Sequence, residues 1–221
     1  MEFSFNTNEM QRRYFQTKVE HRAKGDGEKS NRFSGIAATV GQEYTLYEDS
    51  DFVVLEVIER GAFKNVGQFD VRVLKNHDPN FLLGRTASGT AKVAEVEEGL
   101  YYEWENDEQI SYAKDLAISI RRGDTNQSSF GFIIGEDNER TEQYTREGDK
   151  KRVYKRTITG FREVFDASPV TYPANPSTMV EARDMRTALE KIIKSETKET
   201  PDNMEFIRMQ IATKEKLAAI V

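Results

Sequence analysis

Cysteine is absent from this chain of 221 residues. That excludes a disulfide framework, a thiolate zinc site and a cysteine nucleophile, and it suits a reducing compartment. Histidine is nearly as scarce, with His21 and His77 the only two. A metal centre would have to rely on carboxylates, and none of them falls at the His-Glu-x-x-His spacing of zinc hydrolases, so neither a metal nor another cofactor is expected. The Gly-x-Ser-x-Gly elbow and the glycine-rich phosphate loops are missing too. No window approaches the roughly 18 consecutive apolar residues of a membrane helix. Met1-Glu2-Phe3-Ser4-Phe5-Asn6 has no basic segment followed by an apolar core. A soluble, unexported chain without a membrane partner is the expectation. A net charge of −6 and a pI near 5.2 argue against a polyanion binder, so nucleic acid is not an expected partner. Nothing among the 38 acidic residues singles out a glycosidase-type carboxylate pair.

What is present is enough apolar residue, 37%, to bury one core. Strand-compatible stretches dominate. Residues 14–23 are followed by turn chemistry in Lys24-Gly25-Asp26-Gly27 and read as a first hairpin. Phe33 to Val40, Asp51 to Ile58 and Phe69 to Val73 are further strand-like stretches, and Phe81 to Thr86, Ala91 to Val96 and Leu100 to Glu105 continue the pattern as a meander. Ala113, Leu116, Ala117 and Ile120 mark the buried stripe of a helix from about Asp107 to Arg122, with Gly123 where a cap belongs. Glu136 to Arg152 is almost wholly polar and reads as a long exposed hairpin loop. Residues 165–176 carry Pro169, Pro173 and Pro176, which favours a place on a sheet edge. Beyond Arg183, residues 185–195 and 203–220 read as helical, with Pro201 near the start of the second segment. The expected organisation is a domain over 1–184 and a helical tail over 185–221, and the fold class is α+β.

Two segments carry chemistry. Lys75-Asn76-His77-Asp78-Pro79-Asn80 places a histidine at a strand's end beside a turn. Ser128-Ser129-Phe130-Gly131-Phe132 places a serine in a strand, with Gly131 on the same face leaving room for an approaching chain. A serine hydroxyl is a weak nucleophile until a base takes its proton, and histidine is the side chain best suited to do so. Taken singly, His77 also reads as turn chemistry and Ser129 as a small filler between phenylalanines. His21 lies in a charged strand and receives no role.

Read together, the blocks resemble the prohead serine proteases of tailed bacteriophages, which are similar in fold to herpesvirus assemblin. Phe33-Ser34-Gly35-Ile36-Ala37-Ala38 looks like the family's opening strand, and Glu56 to Phe63 resembles its E-x-I-x-x-G-A-F segment. Leu74-Lys75-Asn76-His77-Asp78 with Leu83-Gly84-Arg85-Thr86 matches L-x-N-H-D … L-G-R-T, in which the histidine is catalytic. Arg122-Gly123-Asp124 leading to Ser129-Phe130-Gly131-Phe132 matches R-G-D … S-F-G-F, whose serine is the nucleophile. Asp166-Ala167-Ser168-Pro169-Val170-Thr171 with Pro173-Ala174 is similar to the closing E-V-S-P-V-T-x-P-A-Y strand, and the match runs over about residues 33 to 183. The resemblance implies a mainly antiparallel β-barrel with flanking helices. It also implies a serine endopeptidase built on His77, Ser129 and an acid. Asp166 stands where the family has glutamate, so the strand must come closer by one methylene; Glu163 is the competing acid. The implied substrates are the major capsid protein, the scaffold protein and the protease itself, cut inside the assembling procapsid in the bacterial host cytoplasm. Self-association remains open. The tail would be a targeting segment or an ordinary capping helix. The alternative function is a catalytically silent capsid- or scaffold-binding module whose His77 and Ser129 never meet.

Overall fold

The computed structural model describes residues 9–15, 17–22, 31–145, 148 and 151–172. The expected 185–221 tail and Arg183 lie outside the described residues. In chain order the strands are β1 (Gln11–Phe15), β2 (Val19–Arg22), β3 (Arg32–Thr39), β4 (Glu43–Glu48), β5 (Phe52–Ile58), β6 (Arg72–Leu74), β7 (Leu82–Arg85), β8 (Ala91–Glu95) and β9 (Gly99–Glu105). The helix α1 (Ser111–Arg122) follows, and then β10 (Gln127–Ile133), β11 (Glu139–Thr145), β12 (Arg152–Ile158) and β13 (Glu163–Val170).

These strands form three sheets among the described residues, in the orders β1-β10-β13-β6-β7, β11-β12-β5-β4 and β2-β3-β9-β8. The α+β class stands, but the expected closed barrel does not. Each ladder stops at an edge strand, and two pairings, β5 with β12 and β6 with β13, are parallel. Alternation along a strand tells which face is buried, not which distant strand lies beside it, so closure was not readable. The β2–β3 pairing realises the first hairpin, with Val19 opposite Gly35 and Arg22 opposite Arg32. Strand β6 is shorter than the alternation of 69–73 suggested, although Val71 and Val73 are both buried.

Two further expectations are corrected. The polar 136–152 stretch is not all loop, because β11 pairs with β12 from Glu139 opposite Ile158 to Thr145 opposite Arg152. As an edge strand, β11 buries little and needs no apolar alternation. Strand β13 is interior despite Pro169. The Pro169 carbonyl accepts the Asn76 N–H at 3.1 Å, so its missing N–H faces the loop past the end of β6, where no ladder continues.

Helix α1 begins four residues later than expected. The Asp107 side chain accepts the Gln109 N–H at 2.9 Å and holds the preceding residues in a turn. Ala113, Leu116, Ala117 and Ile120 are buried, as their spacing predicts. Gly123 ends the helix at φ 82°, ψ 8°, the left-handed cap that only glycine adopts without cost. Ser119 and Thr125 hydroxyls meet at 2.9 Å, which ties the helix end to the residues entering β10.

The core gathers behind β10. Phe130 stacks on Phe132 at 4.6 Å, and Phe63 and Phe161 pack edge-on against Phe130. A second stack runs Phe33–Trp104–Tyr102 between β3 and β9. Within this apolar volume sits one fully buried carboxylate, Glu56 on β5. It accepts from Arg13 Nε at 2.6 Å and Nη2 at 3.0 Å, from Arg156 Nη1 at 3.1 Å and from the Tyr44 hydroxyl at 2.5 Å. Burial pushes the carboxyl up, but the guanidiniums of Arg13 and then Arg156 outweigh it and hold it at about 2 against an ordinary 4.5.

A carboxyl depressed on folding stabilises the fold above its unfolded value. That contribution is complete above pH 4.5 and is lost as pH falls toward 2. Glu56→Gln should flatten the unfolding free energy against pH across that window. At neutral pH it should cost about 3–5 kcal/mol, the range for breaking a buried ion pair. Urea unfolding at a series of acidic and neutral pH values measures both.

Candidate active site

The site is built from one face of the neighbouring strands β10 and β13 and the turn that follows β6. Ser129 lies opposite Ser168, and Gly131 opposite Asp166, so these four residues share one face of the sheet. Between Gly131 and Phe132 the register slips, because Phe132 pairs with Val164 and Phe165 becomes an extra residue. This bulge re-phases β13 and sets the acid against the glycine. A Cβ on Gly131 would lie 2.7 Å from Asp166 Oδ2. The space at Gly131 therefore admits the Asp166 carboxylate rather than an approaching chain, and it meets the shorter reach of aspartate noted above.

His77 arrives from the side. Lys75, Asn76, His77 and Asp78 form a tight turn closed by the Asp78 N–H donating to the Lys75 carbonyl at 3.1 Å. Asn76 and His77 have φ of 56° and 60°, a left-handed pair that costs about 1–2 kcal/mol per residue outside glycine. Asn76 offsets the cost with bonds to the end of β13. Its N–H donates to the Pro169 carbonyl, its Oδ1 accepts the Thr171 N–H at 2.8 Å, and its Nδ2 donates to Thr171 Oγ1 at 3.3 Å. Asp78 accepts the Asn80 N–H at 2.9 Å and serves the turn. The hairpin base is tied by Thr86, whose hydroxyl accepts the Val71 N–H at 2.9 Å, and by Arg85 on Asp70 at 2.9 Å. The Leu83-Gly84-Arg85-Thr86 block thus anchors the loop that carries His77.

His77 Nδ1 donates to Asp166 Oδ1 at 2.5 Å, and His77 Nε2 lies 2.6 Å from Ser129 Oγ. His77 is 7% exposed, Asp166 3% and Ser129 0%. The three sequence-predicted residues are therefore together in one chain of hydrogen bonds. Glu163, the competing acid, is exposed at the start of β13 opposite Ile133. Arg122 and Asp124 form an exposed ion pair at 3.0 Å beside the helix cap. His21 packs its ring on Phe33 at 5.0 Å.

A family model described as caudovirus prohead serine protease matches residues 17–191. The chain belongs to that family. Neither the curated proteins nor the solved structures compared with the chain gave a match. Membership of the prohead serine protease family carries a protease role in bacteriophage capsid maturation. The matched residues begin after β1.

Two parts of the site were not read from the sequence. Ser168 donates its hydroxyl to Asp166 Oδ1 at 2.6 Å and accepts the Leu74 N–H at 3.3 Å, bridging the acid to β6. Its position two residues after Asp166, on the same strand face, was the available signal. Tyr14 sets its ring edge-on to His77 at 5.6 Å, and the Arg13 carbonyl accepts from Ser129 Oγ at 2.8 Å. Among the described residues no group of three or more His, Asp or Glu is arranged to hold a metal ion, and no helix is long and apolar enough to cross a membrane.

Gly131→Ala should push Asp166 away from His77. The expected result is a loss of about 1–3 kcal/mol from overpacking and a shifted or missing His77 Nδ1–H proton resonance. Urea unfolding and proton NMR of the variant check these two effects separately.

Proposed function

We propose that this prohead protease is a serine endopeptidase in which Ser129 is the nucleophile, His77 the general base and Asp166 the residue that orients the imidazole. The observation that carries the reading is the continuous line from Ser129 Oγ to His77 Nε2 at 2.6 Å and from His77 Nδ1 to Asp166 Oδ1 at 2.5 Å. Asp166 accepts from Nδ1–H, which leaves Nε2 with a lone pair directed at Ser129. His77 takes the hydroxyl proton as Oγ bonds to a peptide carbonyl carbon, and the imidazolium formed is held against the Asp166 carboxylate. His77 then gives that proton to the departing amine as the C–N bond breaks. A water molecule, deprotonated by His77, hydrolyses the acyl-enzyme and restores the serine. Backbone amides facing the scissile carbonyl would supply the oxyanion hole.

The substrates proposed are the major capsid protein, the scaffold protein and the protease itself, cleaved inside the procapsid in the bacterial host cytoplasm. The family supports this reading. The silent-module alternative requires His77 and Ser129 to stay apart, and their 2.6 Å separation favours the enzyme.

His77→Ala and Asp166→Asn should each lower cleavage of purified capsid precursor by about 10⁴-fold, the loss typical of disabling one member of such a triad. Circular dichroism should show both variants folded. Undiminished cleavage by either variant would overturn its assigned role.

A further inference from the structure

We infer that β1 is a self-inhibitory strand lying where an extended peptide substrate binds, so that the protein is latent until β1 leaves β10. This rests on the protease reading of Ser129 given above. A nucleophile that is 0% exposed cannot meet a polypeptide unless some element moves. Of the two strands flanking β10, β13 is interior to the sheet and carries Asp166, whereas β1 is the outer strand. Strand β1 runs antiparallel along β10, with Tyr14 opposite Ser129 and Arg13 opposite Phe130. It also lies outside the residues 17–191 shared with the family model.

Strand β1 occupies the place a bound substrate would need and makes an unproductive contact there. Its backbone crosses the nucleophile and presents the Arg13 carbonyl oxygen, which accepts from Ser129 Oγ at 2.8 Å. A hydroxyl has one proton, so a proton given to Arg13 is withheld from His77 Nε2. The Tyr14 ring covers one side of the His77 imidazole. With β1 displaced, β10 becomes a sheet edge, and an extended chain can add to it through the same main-chain bonds. The substrate class is accordingly an unfolded or extended segment of protein, not a folded surface loop.

The strand is held by a pin. The Arg13 side chain passes over Phe132, 5.5 Å from the ring centroid, and reaches Glu56 through two charge-assisted hydrogen bonds of 2.6 and 3.0 Å. Removing the Arg13 guanidinium leaves Glu56 still bonded to Arg156 and Tyr44, so the buried carboxylate keeps a counter-charge when the pin is lost.

The lack of any native cysteine allows a direct test in the full chain. In a Ser129→Cys background the single thiol reports access to this position whether or not the serine is catalytic. Its alkylation by iodoacetamide, followed by intact mass, should be slow, and should accelerate at least about tenfold when Arg13→Ala removes the pin. Arg13→Glu, which sets a carboxylate against Glu56, should accelerate it further. Equal alkylation rates with and without these changes would overturn the inference. With Ser129 retained, a fluorophosphonate probe should label Arg13→Ala faster than the parent chain by a similar factor. A faster thiol with no fluorophosphonate labelling would leave β1 as a cover and instead remove the protease reading on which its inhibitory meaning depends.

Discussion

The close approach of β10 and β13 at Gly131 is the constraint on which the site depends. An aspartate reaches less far than a glutamate, so the acid can meet His77 only if its strand lies tight against the serine strand. Gly131 permits this, since any Cβ there would lie 2.7 Å from Asp166 Oδ2. The bulge at Phe165 supplies the matching phase, and Ser168 binds the same carboxylate oxygen as the histidine. The four small or polar residues on this face are held at the front of a sheet whose opposite face carries Phe130 and Phe132 into the core. Precision at the site thus comes from two packed strands, and a turn has only to deliver the imidazole.

That turn explains why separated sequence blocks belong together. The Asn76-His77-Asp78 turn is strained at two residues and is bound to Pro169 and Thr171 through the backbone and side chain of Asn76. Leu83 to Thr86 ties off the base of the same hairpin. Glu56, from another block, anchors the charged centre on which the N-terminal strand is pinned.

Local patterns in the sequence carried most of the strands, though not β4 or β11, together with the helix stripe, the Gly123 cap and the positions of His77 and Ser129. What they left open has a common physical origin. The choice between Asp166 and Glu163 turns on strand phase, which a bulge shifts without any mark in composition. The three-sheet arrangement and the interior place of β13 depend on pairings between distant strands, such as β5 with β12. Strand β11 escaped notice because an exposed edge strand needs no apolar alternation. Glu56 could not be recognised as buried from its own segment, because the arginines that make burial tolerable come from β1 and β12.

The central claim is that Ser129, activated by His77 and Asp166, cuts the proteins of the assembling capsid. Its most direct test is co-expression of the chain with its capsid protein, comparing the native chain with Ser129→Ala by intact mass spectrometry. The account predicts shortened capsid or protease chains with the native serine only. Identical masses from Ser129→Ala and from chains that carry Ser129, the native one and one unpinned by Arg13→Ala, would contradict it.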